Sequence, residues 1–296
     1  MTTRIGFVGL GSMGLPMATN LMRAGFQVRG FDLSDAALSR FSAAGGNTTR
    51  SAKEVAAEAE ILALMMVNAH QAADLLFNAG ALEALPGSAI VLLMATCPPG
   101  AVEALARRVE ENGHRFVDAP VSGGVAGAKA ASLSIMVAAP RAIVDRVRPA
   151  LEAMGQKIFH VGERPGLGAM AKTVNQLLCG VHLAAAAEAL SLAEKAGMDP
   201  ALALEIVSGS SAASWMLRDR GPRMLMDDPP ITSAVDIFVK DLGIVLAAGS
   251  SSRMALPLAA AAHQMFLAAS GQGRGAEDDS QVIAAYRSLS RAATET

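Results

Sequence analysis

One candidate for chemistry is a lysine with two carboxamides near the start of a long apolar stretch. Lys172, Asn175 and Gln176 are spaced so that an α-helix would bring them to one face. Most other residues of the run 166–197 are apolar or small. A lysine there either extends its ammonium group to water from the helix start or has a chemical role, and the stretch alone leaves both interpretations open.

A second candidate is the loop that follows Asp118, in the run DAPVSGGVAGA. Ser122, Gly123 and Gly124 come just after a predicted strand, so their backbone N–H groups can point together. Such a loop binds a carboxylate, and the Ser122 hydroxyl is an added donor. A flexible surface loop is the alternative, but Pro120 and the strands on either side favour a shaped one.

A third candidate is the glycine pattern of Gly9, Gly11 and Gly14, which follows a predicted strand and opens a predicted helix. In that context the glycines permit a tight turn, close approach of a pyrophosphate and close packing of helix on strand. The free N–H groups of the helix N-terminus favour the phosphates. We therefore expect a dinucleotide cofactor here.

Asp32 ends the strand that follows this helix. A carboxylate at that place accepts both hydroxyls of the adenosine ribose and would repel a 2′-phosphate. The sequence thus favours NAD over NADP.

The elements that must position these residues alternate between strand and helix in the first half of the chain. We predict strands at residues 4–8, 27–31, 61–66, 89–94, 115–118, 132–137 and 157–161. Such alternation is typical of a doubly wound parallel sheet, which binds ligands at the carboxyl ends of its strands. Asn68 and Thr96 follow two of those ends; Thr96 is expected to contact cofactor, whereas Asn68 could equally be a turn residue.

The second half of the chain shows only helical patterns, interrupted at Gly, Pro and Ser. We predict helices at residues 201–207, 215–226, 234–249, 258–269 and 281–289. The fold class is therefore α/β: a Rossmann-type domain at residues 1–162, then an all-α domain at residues 163–296. A buried helix at about residues 167–196, roughly 40 Å long, is expected to join them.

For several residues of the helical half, the sequence either leaves the role undecided or favours a simple structural one. Trp215 is as suited to a core as to a substrate wall, and Lys240 by itself reads as a solvated lysine. Arg218 and Arg220 are expected at solvated or interface positions. The acidic run that includes Asp279 is most simply the start of the last helix.

Composition and charge exclude several function classes. A net charge of -2 gives no basic footprint for nucleic acid or an anionic membrane. No run reaches the roughly 18 uninterrupted apolar residues of a membrane span. Cys97 and Cys179 lie far apart, and no metal-ligand spacing or nucleophile elbow is present. We expect a soluble, cytoplasmic protein without a bound metal.

Taken together, the chain resembles the β-hydroxyacid dehydrogenase family, the group around 3-hydroxyisobutyrate dehydrogenase. The resemblance covers almost the whole chain and rests on four ordered segments: GFVGLGSMGLPMATNL with Asp32, DAPVSGGVAGA, GLGAMAKTVNQ and Lys240-Asp241-Leu242. Within the family, the runs NQLLCGVHLAAAAEAL and GAEDDSQVI are similar to members that oxidise a sugar acid.

The resemblance implies an NAD-dependent oxidation of a small hydroxy acid with Lys172 as the catalytic lysine. It implies substrate binding by Ser122, Gly123, Gly124 and Asn175. The implied cofactor-binding residues are Gly9, Leu10, Gly11, Ser12, Met13, Gly14, Asp32, Met66, Val67, Asn68, Thr96 and Lys240. It further suggests a homo-oligomer, a dimer or tetramer.

The chain departs from the family pattern at a few positions. Ala131 and the pair Ala138-Ala139 stand where glycine is frequent, and Gln176 stands where a second asparagine is common. Gln176 lies beside the expected catalytic face, so it puts the substrate in doubt. Oxidation of 3-hydroxyisobutyrate, reduction of tartronate or succinic semialdehyde, and a non-catalytic NAD-binding protein remain the alternatives.

Overall fold

The structure, a computed structural model, describes residues 3–290 and divides into two compact units between Lys172 and Thr173. This division falls inside one continuous helix, Leu167–Lys195. The domain limits 1–162 and 163–296 stay a prediction.

The first unit alternates strands and helices as its sequence pattern predicts. Its strands are β1 Arg4–Val8, β2 Gln27–Phe31, β3 Asn47–Thr48, β4 Ile61–Leu64, β5 Ile90–Leu93, β6 Arg115–Asp118, β7 Val121–Ser122, β8 Leu133–Ala138 and β9 Gly155–Gly162. Its helices are α1 Gly14–Arg23, α2 Asp35–Ala43, α3 Ala52–Ala56, α4 Ala69–Ala73, α5 Ala81–Ala84, α6 Pro99–Glu111, α7 Gly124–Lys129 and α8 Arg141–Met154.

The strands form one sheet in the order β3-β2-β1-β4-β5-β6-β8-β7, with β9 paired to β8. The pairings from β3 to β6 are parallel, and β8 runs antiparallel to β6 and β7. The strand order reverses at β1, which lies between β2 and β4. In such sheets the crevice at the carboxyl ends beside the reversal is the usual ligand site.

Each central strand contributes apolar residues to both faces of the sheet. In β4, Ile61 and Ala63 join one buried cluster while Leu62 and Leu64 join the other. This alternation explains why the strands read as uninterrupted apolar runs, since a parallel sheet covered on both sides needs no polar face.

The second unit is helical, as predicted. After helix α9 Leu167–Lys195, its helices are α10 Pro200–Ser208, α11 Trp215–Met224, α12 Val235–Ser251, α13 Pro257–Ala269 and α14 Ile283–Leu289. A separate core, which includes Leu183, Leu190, Leu242 and Phe266, lies among them. The rings of Phe238 and Phe266 stack within it at 5.0 Å.

One helix was not predicted, and one expectation about another helix was wrong. No helix was predicted between residues 137 and 157, yet α8 forms there with Pro149 inside it, because Val144, Val147 and Leu151 bury one face. The other concerns α9, which was expected to be buried all round but exposes Val174 and Leu192 by 58 % and 70 %. Its abundance of alanine and leucine extends beyond the side that packs on the core.

Judged by length and composition alone, α9 could cross a membrane. Its most apolar stretch of 18 residues is 44 % buried. A core helix of a soluble protein passes the same test. Lys172, Thr173 and Gln176 are themselves buried polar residues of this helix.

Candidate active site

The glycine loop between β1 and α1 has the geometry that the fingerprint requires. Gly9 has a φ of +90°, and a Cβ on it would lie 2.1 Å from the Met65 carbonyl oxygen. A Cβ on Gly14 would lie 1.7 Å from the Gly9 carbonyl oxygen. Space around Gly11 is open, so a ligand can approach the backbone there.

Asp32 closes this loop from the end of β2. Its carboxylate accepts hydrogen bonds from the Leu10 N–H at 2.7 Å and the Ser34 N–H at 2.8 Å. The structure therefore brings the glycine loop and the acid together, and helix α1 begins at Gly14 with no side-chain cap from Met13. Open backbone, a helix N-terminus and a fixed carboxylate fit a dinucleotide cofactor.

The remaining predicted cofactor residues of this unit follow the strands next to β1. Met66, Val67 and Asn68 come after β4, and Thr96 comes after β5. The Asn68 side chain accepts a hydrogen bond from the Gln71 N–H at 2.9 Å and so caps α4. The turn role of Asn68 is thus observed, while its contact with cofactor stays a prediction.

The predicted carboxylate loop lies between β7 and α7. Ser122 ends β7 and pairs with Ser134 of β8. Gly123 and Gly124 have φ values of +130° and +61°, which residues with a Cβ rarely adopt. These two glycines therefore let the chain turn sharply at the point where N–H groups are expected to face a carboxylate.

Lys172 lies in the second turn of α9 and is 7 % exposed. The first turn is held by Asp118, the last residue of β6, whose carboxylate accepts hydrogen bonds from the N–H groups of Gly166 and Ala169, both at 2.9 Å. Burial raises the pKa of Asp118 to about 6, although the backbone hydrogen bonds from Ala169 and Gly166 oppose the increase.

In the helical unit a chain of hydrogen bonds links the other predicted residues. Asn175 donates to Gln176 at 2.9 Å, and Gln176 donates to Asp241 at 2.6 Å. The second carboxylate oxygen of Asp241 accepts a hydrogen bond from the Lys240 Nζ at 2.6 Å. The predicted substrate residue Asn175 and the predicted cofactor residue Lys240 are thus joined through a carboxylate that is 2 % exposed.

The structure corrects the expectation that Arg220 lies at a solvated or interface position, and it decides whether Trp215 belongs to the core. Arg220 is not solvated: it is buried and donates to Asp279 at 2.8 and 3.1 Å. Asp279 is itself buried and does more than start the last helix. Trp215 is 53 % exposed, which removes it from the core. Arg218, by contrast, is exposed as expected.

Sequence reasoning missed the roles of Asp118 and Asp241, although both lie in segments that it singled out. Asp118 opens the DAPVSGG run, and Asp241 follows Lys240. Their partners are 48 and 65 residues away along the chain, at Gly166 and Gln176. Within residues 3–290 no group of three or more His, Cys, Asp or Glu is arranged to hold a metal ion.

Two parts of the chain match models of known protein families. Residues 4–162 match the model of the NAD-binding domain of 6-phosphogluconate dehydrogenase, and residues 166–286 match the NAD-binding domain of NADP-dependent 3-hydroxyisobutyrate dehydrogenase. An L-threonate dehydrogenase of Cupriavidus necator is 44 % identical over 96 % of both chains.

Two further similarities bear on the family. A 2-(hydroxymethyl)glutarate dehydrogenase of Eubacterium barkeri is 36 % identical and covers 97 % of this chain and 95 % of its own. The crystal structure of a 3-hydroxyisobutyrate dehydrogenase from Salmonella typhimurium is 36 % identical, superposes with a TM-score of 0.91, and covers 95 % of this chain and 99 % of its own. The chain belongs to the β-hydroxyacid dehydrogenase family, and is an NAD(P)-dependent oxidoreductase that acts on the CH–OH group of a hydroxy acid.

Proposed function

We propose that the protein is an NAD-dependent L-threonate dehydrogenase that forms the corresponding 2-oxo acid with Lys172 as general acid and base. The observation that carries the substrate assignment is the 44 % identity, over 96 % of both chains, to the Cupriavidus necator L-threonate dehydrogenase. Relatives at 36 % identity include L-threonate dehydrogenases as well as proteins named for other substrates, so identity at that lower level does not distinguish substrates.

The preference for NAD is supported by Asp32. Its two oxygens are fixed by the backbone of Leu10 and Ser34, so a negative charge stands at the end of β2. In this fold that position meets the adenosine ribose, where a carboxylate accepts hydroxyl groups and repels a 2′-phosphate. The cofactor-binding residues are the glycine loop at residues 9–14, residues 66–68, Thr96 and Lys240.

Substrate binding is assigned to the loop at residues 122–124 and to Asn175. The two positive φ values allow successive N–H groups to converge, and such a nest binds an anion. A sugar acid would place its carboxylate there, with the Ser122 hydroxyl as a further donor. Asn175 would hold a hydroxyl group through a side chain that Gln176 orients.

Proton transfer is assigned to Lys172. The nicotinamide of NAD, when bound, accepts the hydride that leaves the substrate carbon. Lys172 takes the hydroxyl proton as the carbonyl forms, and in the reverse direction its ammonium group returns that proton to the oxygen. Burial of the side chain supports this role, because burial disfavours the charged form of an amine.

Initial-rate measurement of NADH formation tests the substrate assignment. Wild-type protein is assayed with L-threonate, D-threonate, 3-hydroxyisobutyrate and D-glycerate, each with NAD and with NADP. We expect kcat/KM to be highest for L-threonate with NAD. A maximum with 3-hydroxyisobutyrate or D-glycerate would overturn the substrate assignment and leave the family assignment unchanged.

The reductive direction tests the remaining alternative. If none of the four hydroxy acids is oxidised, consumption of NADH with tartronate semialdehyde or succinic semialdehyde would identify a reductase that uses the same lysine. A preference for NADP in either direction would contradict the role of Asp32.

We also propose that the enzyme is a cytoplasmic homo-oligomer, a dimer or tetramer. The apolar side chains of Val174, Leu178 and Leu192 are 58 %, 49 % and 70 % exposed along α9, and a second copy of the chain would cover them. Within the residues that the structure describes, Cys97 and Cys179 form no disulfide, in keeping with a reducing compartment. Light scattering after size exclusion should give an oligomer, which Leu178→Glu should weaken.

A further inference from the structure

The start of helix α9 is held by a buried carboxylate from a different element. Asp118 is the last residue of β6 and is 1 % exposed. Its oxygen Oδ2 accepts hydrogen bonds from Gly166, which precedes the helix, and from Ala169 in the first turn. These are two of the N–H groups that a helix N-terminus leaves without an intrahelical partner.

The same turn also packs directly on strand ends. A Cβ on Gly168 would lie 2.8 Å from the carbonyl oxygen of Asp118 and 2.8 Å from that of Met136. Backbone atoms cannot move aside as the end of a flexible side chain can, so any larger residue would displace the helix start. Hydrogen bonding by Asp118 and the absence of a side chain at Gly168 therefore fix one position of this turn.

This position matters because two parts of the proposed site extend from it. Lys172 follows Ala169 by three residues, one turn further along α9. In the other direction, β6 ends at Asp118 and the chain continues through β7 to Ser122 and the loop at residues 123–124. A displacement of about 1 Å in the distance between a catalytic group and its substrate can reduce turnover by about a hundredfold.

We propose that Asp118 is a positioning residue for Lys172, because its carboxylate fixes the first turn of α9 against the strand that leads to the loop at residues 122–124. This inference rests on the proposed function, which assigns proton transfer to Lys172 and carboxylate binding to that loop. Asp118 acts as a hydrogen-bond acceptor and does not itself touch the reacting atoms.

The first test compares Asp118→Ala with Asp118→Asn in L-threonate oxidation with NAD. The alanine variant loses the acceptor, so kcat should fall about 10- to 100-fold, while the Kd for NADH stays unchanged. The asparagine variant keeps an oxygen for both N–H groups and should recover most of kcat. Wild-type kcat in the alanine variant, or an equal loss in both variants, would overturn the proposal.

A second pair of variants keeps the test valid if Asp118→Ala fails to fold. Gly168→Ala leaves Asp118 intact but forces the turn away from the two carbonyl oxygens, and should lower kcat about 10-fold or more. Gly100→Ala is the matched control, because Gly100 is also the second residue of its helix and has nothing within 4 Å of its Cβ position. Equal kcat in these two variants would contradict the proposal.

Two further measurements separate this inference from the proposed function. If Lys172→Ala turns over normally, or the wild-type protein oxidises no hydroxy acid, the proposed function fails. Hydrogen exchange of residues 166–172 does not depend on turnover, and Asp118→Ala should accelerate it relative to Asp199→Ala, which removes the cap of α10. Unchanged exchange in that segment would overturn the positioning role even in an inactive protein.

Discussion

Two buried aspartates, one in each unit, show opposite uses of the same side chain. Asp118 in the first unit and Asp278 in the helical unit are both 1 % exposed. The carboxylate of Asp118 accepts hydrogen bonds from backbone N–H groups. Burial raises its pKa to about 6, because those hydrogen bonds only partly compensate for the loss of water.

Asp278 has a cation among its partners. It accepts hydrogen bonds from the N–H and Oγ1 of Thr232, from the Ser280 N–H and from Arg223 at 3.1 Å. Burial alone would raise its pKa, but hydrogen bonds from Thr232 and Ser280 and the charge of Arg223 lower it. The comparison indicates that position 118 requires an acceptor, whereas position 278 requires a charge.

The largest effect on stability is expected from Asp278→Asn. This change leaves the buried guanidinium of Arg223 with Asp219 as its remaining carboxylate, and should cost about 3 kcal/mol in the free energy of unfolding. Urea denaturation at pH 7.5 measures it. Glu83→Gln is the control, since it removes an exposed ion pair with Lys53 and should cost less than about 1 kcal/mol. Similar losses in both variants would contradict the account of Asp278.

The opposite result is expected from Asp118→Asn. An amide keeps the hydrogen bonds without a buried charge, so this variant should be more stable than wild type at pH 7.5. The increase in pKa from 3.8 to about 6 sets an upper limit of about 3 kcal/mol. Urea denaturation in the same buffer measures this gain, and a loss of stability would show that position 118 requires the charge.

The pH dependence of that difference follows from the direction of the pKa change. The folded protein keeps a proton on Asp118 up to about pH 6, whereas the unfolded chain loses it near pH 3.8. The stabilising contribution of Asp118 is therefore complete below about pH 4 and disappears as the pH rises through 6. We expect the gain from Asp118→Asn to be absent near pH 4 and complete at pH 7.5. A gain that does not vary with pH would contradict the titration of Asp118.

A smaller effect is expected from Gln176→Asn, which restores the residue that is common in the family. The shorter side chain cannot keep the 2.6 Å hydrogen bond to Asp241, and the loss of a bond to a buried carboxylate should cost about 2 kcal/mol. Because Gln176 also orients Asn175, the KM for the hydroxy acid should rise more than the KM for NAD. Unchanged stability and KM values would contradict the linking role of Gln176.

Local patterns predicted much of the fold. The limits of β1 and β2 agree with the predicted residues 4–8 and 27–31, because the glycine loop that begins at Gly9 ends the first run, and Gly25 and Asp32 lie on either side of the second. Ser34 and Ser51 cap the N-termini of α2 and α3, and serine is among the residues preferred at that position. No helix was predicted at the place of α8, where three buried valine and leucine residues keep the helix in place although Pro149 lies inside it.

Less of the proposed site than of the fold could be predicted from the sequence. The glycine loop and Asp32 lie close in sequence, so their juxtaposition could be predicted from one strand–helix–strand unit. The contacts of Asp118 with Gly166 and of Asp241 with Gln176 join distant segments, and no spacing rule connects such residues. The same is true of Arg220 and Asp279, whose ion pair spans 59 positions and buries an arginine that was expected at a solvated or interface position.

The most direct test of the central claim is turnover and NADH binding in Lys172→Ala, with Lys195→Ala from the last turn of the same helix as control. Removal of the general base should lower kcat for L-threonate oxidation by about 100- to 10,000-fold, while the Kd for NADH measured by fluorescence stays unchanged. The control should match wild type in both quantities. Wild-type turnover in Lys172→Ala, or a parallel loss of NADH binding, would contradict the role of Lys172.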